Sequence, residues 1–374
     1  MATHKAVLLH ARDKPANLET IPRPSATTGD AIVRILAADI VPYMREVLNN
    51  TRPYPLSLPM TPGNTAIGRV AEVGPDAVSL TPGQLVFCDI TIRARDDPSV
   101  SILYGIHGGG YPAAQKLMDG VWRNGTYAEY TRFPLENLYP LNEELLLGKL
   151  GYKLTDLCLF PVFLVPFGGL SEVGVKPGEV VIVGPATGRY GGAAVGVALA
   201  MGATVVAVGR NASALENLEQ IHSAGGMSRR LRTVRMTGDQ AEDTQLLRAA
   251  SGKSAGADVY LDLSPPAAKG SSLLASGLGA LRAFGRCVIM GGVAGNLELP
   301  YLDIMFRSLR IQGRFMYDRT HIQQLIQMVE SGLLPLGEVA GVRHTEEYVL
   351  GDFQQALEAA GKLSGWGAHV VLKP

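Results

Sequence analysis

Residues 179–201 constrain the fold more than any other part of the chain. They run Glu179-Val-Val-Ile-Val-Gly184-Pro-Ala186-Thr187-Gly188-Arg189-Tyr190-Gly191-Gly192 and continue through Ala-Ala-Val-Gly-Val-Ala-Leu-Ala to Met201. A short β-branched run reads as a buried strand, the glycines as a tight turn, and the small residues as a long helix. A strand, an Ala186-x-Gly188-x-x-Gly191 turn and a helix make up the setting of a dinucleotide fingerprint. Gly188 leaves room for a pyrophosphate to approach the backbone, Gly191 lets the helix close on the strand, and the helix N-terminus faces the anion.

The same rhythm continues downstream. Short strands are expected at 180–183, 204–208, 233–235, 258–261 and 286–290, with helical periodicity at 193–201, 212–223, 241–250 and 267–281. Strand–helix alternation of this kind requires right-handed parallel crossovers, and hence a doubly wound α/β sheet. The tail reads as helix 320–331, strand 348–350, helix 351–361 and strand 368–372. Residues 1–150 differ. Their β-branched runs at 5–9, 31–37, 66–73 and 85–90 are separated by Pro62-Gly63, Gly74-Pro75 and Pro82-Gly83, which suits a small Greek-key barrel.

The second strand of the α/β region ends at Val208-Gly209-Arg210-Asn211, with Arg210 nineteen residues beyond Gly191. Readers of NAD carry an acidic residue near this point to grip the ribose 2′-hydroxyl. Here Gly209 removes the carboxylate, and Arg210 offers a planar fork suited to a phosphate. The expected cofactor is therefore NADPH, held by Gly184, Ala186, Thr187, Gly188, Arg189, Tyr190, Gly191, Gly209, Arg210 and Asn211. The basic run 228–235 adds further positive charge or forms a solvated face.

Lys plus Arg and Asp plus Glu both number 34, so there is no global field for a polyanion, and nucleic acid is not an expected partner. The three cysteines, Cys88, Cys158 and Cys287, are too widely spaced to form a disulfide framework or a paired-cysteine metal clip. That usage implies a reducing, cytoplasmic setting. The apolar stretch 157–165 is about half a membrane span and is expected to be broken by Pro161 and Pro166, so no membrane helix is expected.

The N-terminal Pro62-Gly63-x-x-x-x-Gly68-x-Val70-x-x-Val73-Gly74, then Gly125-Thr-Tyr-Ala-Glu-Tyr130, then the dinucleotide segment, together resemble the medium-chain dehydrogenase/reductase superfamily over essentially the whole chain. The resemblance is nearest to its zinc-free quinone-oxidoreductase and enoyl-reductase-like branch. It implies a GroES-like catalytic domain at 1–157, a Rossmann NADP-binding domain at 158–316, and a C-terminal part, 317–374, returning to the catalytic domain. It also implies an active site in the interdomain cleft and a homodimer or homotetramer. Zinc-dependent relatives carry Cys, His and Glu ligands at positions matching Val41, Asn64, Thr65 and a residue near Pro161. None of these supplies thiolate or imidazole, so no metal is expected.

Without zinc, hydride delivered to a small-molecule substrate must be matched by a proton donor or oxyanion stabiliser. Tyr43 falls near the proton-relay hydroxyl of zinc-dependent relatives, and Tyr54 matches a Tyr-Pro of zinc-free relatives. An unassisted phenol titrates at about pH 10, so either needs a neighbouring cation or the cofactor ribose to act as an acid. Asn64 and Thr65 are candidate ligands of a substrate oxygen, alongside their reading as plain loop polar groups. The long stretch between Cys88 and Tyr130, containing Tyr104, His107 and Trp122, suggests a substrate lid or residues packed under the barrel. Gly291 and Gly292 resemble the place where relatives hold the carboxamide, and Phe315 to Tyr317 the lining of the cleft. The expected function is NADPH-dependent, zinc-independent reduction of an apolar enone, enoyl or carbonyl compound. The rival is a catalytically silent NADPH-binding sensor or structural protein on the same fold.

Overall fold

The structure, a computed structural model, describes residues 2–223 and 227–374. They form two compact units. The first comprises Met1–Pro161, Val342–Ser364 and Ala368–Pro374; the second comprises Val162–Gly341 and Gly365–Gly367.

The first unit opens with the hairpin of β1 (Thr3–Leu8) and β2 (Asn17–Pro22). There follow β3 (Asp30–Asp39), helix α1 (Met44–Leu48), β4 (Ala66–Val73), β5 (Leu85–Cys88), β6 (Thr91–Arg93) and β7 (Ser101–Leu103). Helix α2 (Pro112–Gly120), β8 (Tyr130–Pro134), β9 (Leu138–Pro140) and the short helix α3 (Leu154–Leu157) complete this part. β3 is the hub: ten residues long, with seven of them apolar, it pairs with β4 and β8 at once. The stretch between Cys88 and Tyr130, read as a lid or as residues packed under the barrel, contains β6, β7 and α2. Proline starts α2 where no intrahelical N–H is needed.

The second unit starts within α4 (Phe160–Glu172) and alternates as expected: β10 (Val180–Gly184), α5 (Arg189–Ala200), β11 (Thr204–Gly209), α6 (Ala212–Ile221), β12 (Leu231–Arg235), α7 (Gln240–Ser251) and β13 (Ala257–Asp262). Then come α8 (Leu273–Gly279), β14 (Leu281–Ile289), α9 (Tyr301–Phe306), β15 (Arg310–Gly313) and α10 (Arg319–Glu330). Among the described residues, these six strands form a parallel sheet in the order β12-β11-β10-β13-β14-β15. The chain therefore reverses direction between β10 and β13, where a doubly wound sheet opens a crevice at the carboxyl ends of its strands. Every residue of β10 and β13 is buried, as for parallel strands covered on both faces. Each fully buried Val, Leu or Ile there contributes about 1.5–3 kcal/mol.

Returning to the first unit, β16 (His344–Val349), α11 (Phe353–Lys362) and β17 (Ala368–Lys373) attach to β3, giving the sheet order β16-β17-β3-β4-β5-β9 with β8 also on β3. The architecture is the expected one, a GroES-like β domain with a Rossmann-like parallel sheet.

Three local expectations give way. The second unit runs to Gly341 rather than ending at 316. Arg314 pairs with Glu172 at 2.7 Å, the His321 ring meets Phe167, and α10 buries Ile322, Leu325, Ile326 and Val329, tying this segment to α4. The helix expected at 267–281 shortens to α8, after a single 3-10 turn at Pro266–Ala268. The prolines do not interrupt the apolar run: Pro161 sits in the first turn of α4 and Pro166 inside it. By length and composition Leu154–Glu172 would suffice to cross a membrane, but 78% of that window is buried in the protein, the position of a core helix.

Candidate functional site

The dinucleotide turn is built from backbone. Ala186 is fully buried, and its N–H donates to Val208 O at 2.7 Å, pinning the turn to β11. Gly188 is the N-cap of α5 in extended conformation, with no side chain capping the helix, so amides of the first turn face outward. A Cβ on Gly188 would meet no heavy atom within 4 Å. One on Gly191 would lie 2.1 Å from Pro185 O, so Gly191 serves the closure of helix on strand. Arg189 is buried at the start of the helix, while Thr187 and Tyr190 are half-buried beside the turn. A bare backbone and an uncapped helix end fit a dinucleotide diphosphate.

At the far end of this edge, Gly209 stands 2.8 Å, measured from an added Cβ, from Thr187 Cγ2. Arg210 is exposed, and Asn211 uses its Oδ1 to cap α6 by accepting from Ala214 N at 3.1 Å. The basic run is sorted by its partners, with the Ser228 side chain outside the described residues. Arg230 donates to Leu199 O and Ala203 O, and Arg232 to Ala250 O. Arg235 is instead the register partner of Gly209 on β12 and is exposed. Among the described residues, neither Arg210 nor Arg235 has an ion pair or side-chain hydrogen bond. Strand register could not be read from a single segment, so Arg235 was visible in the sequence only as one member of a basic run.

Asp262 lies one residue beyond the strand expected at 258–261. This carboxylate ends β13 opposite Gly184, at the reversal point of the sheet. It accepts from Ser264 Oγ at 2.6 Å and Tyr260 Oη at 3.0 Å. Burial holds its pKa above the usual range despite those hydrogen bonds. Gly291 closes on this corner: a Cβ there would sit 2.4 Å from Ser264 O and 3.1 Å from Asp262 Oδ2, and the adjacent Gly292 N–H donates to Ser264 O.

In the first unit the two candidate tyrosines come together. Tyr43 and Tyr54 meet edge to face with centroids 6.4 Å apart, and Tyr54 meets His107 likewise at 4.5 Å. The Arg52 guanidinium lies 4.0 Å from the Tyr43 ring centroid and 5.7 Å from that of Tyr54. Arg52 thus packs on Tyr43 while its Nη1 donates to Tyr54 Oη at 3.5 Å, a contribution the sequence did not single out. His107 accepts from Gly109 N at its Nδ1, and burial lowers its pKa, so it stays neutral near pH 7.

Asn64 and Thr65 are buried, and among the described residues Asn64 Oδ1 and Thr65 Oγ1 have no hydrogen-bond partner; Thr126 Oγ1 shares this condition. Gly63 N–H donates to Gly105 O, and a Cβ on Gly105 or Gly125 would fall within 2.0 Å of Gly63 O, so bare backbones gather these loops around the polar atoms. An unpaired buried polar atom costs about 1–3 kcal/mol unless water or a ligand satisfies it. For a tetrahedral zinc the same place is unsuitable: Val41, Asn64 and Thr65 offer no thiolate, imidazole or carboxylate. Among the described residues, no three His, Cys, Asp or Glu side chains converge as a metal would require.

Two residues expected as substrate contacts, Tyr104 and Trp122, have other surroundings than the tyrosine cluster. Tyr104 is a core residue, 1% exposed, packed edge-on against Phe133, with its hydroxyl donating to Arg132 O; burial pushes its pKa up. Trp122 lines an open depression with Val100, Leu117 and Ala94 that includes none of the tyrosine-cluster residues.

Residues 27–143 match the family model "Alcohol dehydrogenase GroES-like domain", and residues 191–331 match "Zinc-binding dehydrogenase". An alcohol dehydrogenase of Geobacillus stearothermophilus is 25% identical over 332 residues, 88% of this chain and 89% of that protein. An L-threonine 3-dehydrogenase of Anaeromyxobacter dehalogenans is 24% identical over 362 residues, 94% and 93% of the two chains. The crystal structure of a protein of Sinorhizobium meliloti 1021 described as a zinc-binding dehydrogenase, bound to NADP, shares the fold with a TM-score of 0.75 at 20% identity, over 100% of both chains.

Proposed function

We propose that this chain, whose matches support an oxidoreductase of the medium-chain dehydrogenase/reductase superfamily, is an NADPH-dependent enzyme that reduces an apolar enone, enoyl or carbonyl compound without resident zinc. The observation that carries the cofactor choice is the placing of two cations around Gly209, where an NAD reader keeps an acid: Arg210 follows it directly in the chain, and Arg235 is its register partner at the carboxyl end of β12. When bound, the nicotinamide supplies the hydride. The chain's own part is to seat the diphosphate on the Gly188 turn, to hold a substrate oxygen, and to return a proton. Thr65 Oγ1 and Thr126 Oγ1 are buried hydroxyls free to donate to that oxygen, and the phenols beside Arg52 are the candidate acids.

Arg210→Ala should weaken NADPH about ten- to a hundredfold, the loss of one charge-assisted phosphate contact of about 1.5–3 kcal/mol, and leave NADH nearly unchanged. Titration calorimetry with both dinucleotides reads this directly. Equal loss of both would count against the assignment. A catalytically silent binder would show dinucleotide affinity with no substrate-dependent NADPH oxidation across a panel of enones, quinones and ketones.

The missing donor set supports zinc independence. Purified protein should carry no stoichiometric zinc, and chelation should leave turnover intact. One tightly held equivalent per chain, measured by elemental analysis, would defeat this part of the reading.

A homodimer is also proposed. α9 buries none of its residues, leaving Tyr301 and Phe306 more than three-quarters exposed and Leu302 62% exposed. Phe284 is exposed as well, and β15 is a sheet edge with unpaired backbone groups. An apolar patch next to an open edge suits a second copy of the chain. Phe306→Glu should shift the protein toward monomer in sedimentation equilibrium; a wild-type chain that is itself monomeric would refute the interface.

A further inference from the structure

The dinucleotide turn has a neighbour that local sequence does not predict. Gly365–Gly367 belongs to the second unit, although the residues on either side, Val342–Ser364 and Ala368–Pro374, belong to the first. Gly365 forms an antiparallel bridge with Gly188, and Trp366 N–H donates to Thr187 O at 3.4 Å. The indole fills the hollow left by Gly192 in α5, where an added Cβ would stand 2.2 Å from indole Cγ. Phe163 meets the same ring edge-on at 5.7 Å. The segment is thus clamped to the first turn of α5.

Residues directly opposed across an antiparallel bridge point their side-chain positions to the same face. At Gly188 and Gly365 that face is bare on both strands, since a Cβ at either position would meet no heavy atom within 4 Å. Neither residue has a positive φ, so neither is glycine because of backbone conformation. Two adjacent backbones without side chains, lying side by side at an uncapped helix N-terminus, leave an open floor for a bulky, charged group.

We propose that Gly365 is the second half of the seat for a dinucleotide diphosphate, and that Trp366 is the positioning residue that fixes it beside Gly188. This rests on the dinucleotide reading of the turn. The diphosphate would lie against both glycines, and a side chain at 365 would intrude from the same side as one at 188.

The test compares Gly365→Ala and Gly365→Val with wild type, measuring affinity for NADPH and for adenosine 2′-monophosphate, which lacks the diphosphate, together with thermal melting. Because the added carbons meet no protein atom, melting should stay within a few degrees of wild type. NADPH should weaken progressively from Ala to Val, reaching at least about tenfold, while adenosine 2′-monophosphate binds unchanged. Trp366→Ala should weaken NADPH in the same selective way, and Trp366→Phe should retain most of the affinity. The proposal is overturned if Gly365→Val binds NADPH like wild type, or if both ligands and the melting temperature fall together. Failure of the wild-type chain to bind NADPH, NADH or adenosine 2′-monophosphate would defeat the dinucleotide reading itself, and this assignment with it.

Discussion

Gly188→Val is expected to abolish binding of both NADPH and NADH while leaving the fold intact. The backbone at 188 is extended, at φ −81° and ψ 172°, a conformation valine adopts freely, and its Cβ would enter space that no protein atom occupies within 4 Å. The loss would therefore report on the ligand. A β-branched side chain in the seat of a diphosphate should weaken either dinucleotide by about a hundredfold or more, at about 1.4 kcal/mol per decade. Gly191→Val is the informative contrast: its Cβ would lie 2.1 Å from Pro185 O, so it should lower the melting temperature as well as binding. Calorimetric titration beside thermal unfolding separates the two. Wild-type affinity in Gly188→Val would mean that the diphosphate sits somewhere else.

Tyr43→Phe and Tyr54→Phe form the second pair. Each keeps the ring, and hence the edge contact between the two and the stacking of Arg52 over Tyr43, and removes only the hydroxyl. Proton donation by a positioned acid is worth about 10²–10⁴-fold, so the substitution that removes the donor should lower kcat on that scale with NADPH affinity unchanged. A collapse in Tyr43→Phe alone assigns Tyr43, and in Tyr54→Phe alone assigns Tyr54. If both change kcat by less than about threefold, water supplies the proton and the phenols are walls of the pocket. That outcome would favour reduction of an activated alkene, whose enolate solvent can protonate, over reduction of a simple ketone, whose nascent alkoxide needs a placed donor.

Much of this molecule is written locally. The alternation that builds β10 to β14, the turn at Gly188, and the lack of an acid at Gly209 can all be read from neighbouring residues, because strand and helix periods and glycine turns depend on a few positions along the chain. Proline was less reliable as a guide, since burial of α4 outweighs the hydrogen bond lost at Pro166. Aromatic residues were ambiguous for a similar reason. Nothing around Tyr104 says that its ring enters the core against Phe133, or that Trp122 turns to a different surface from Tyr54.

The sequence by itself determined the fold class, the dinucleotide turn and the absence of zinc-type donors at Val41, Asn64 and Thr65. Only the tertiary structure decided that Arg235 stands across from Gly209, that Arg52 lies over Tyr43, and that Gly365 bridges to Gly188. Each of those is a pairing between separate segments. Its register is set by how whole elements bury their apolar faces against one another, and no local run of residues carries that information.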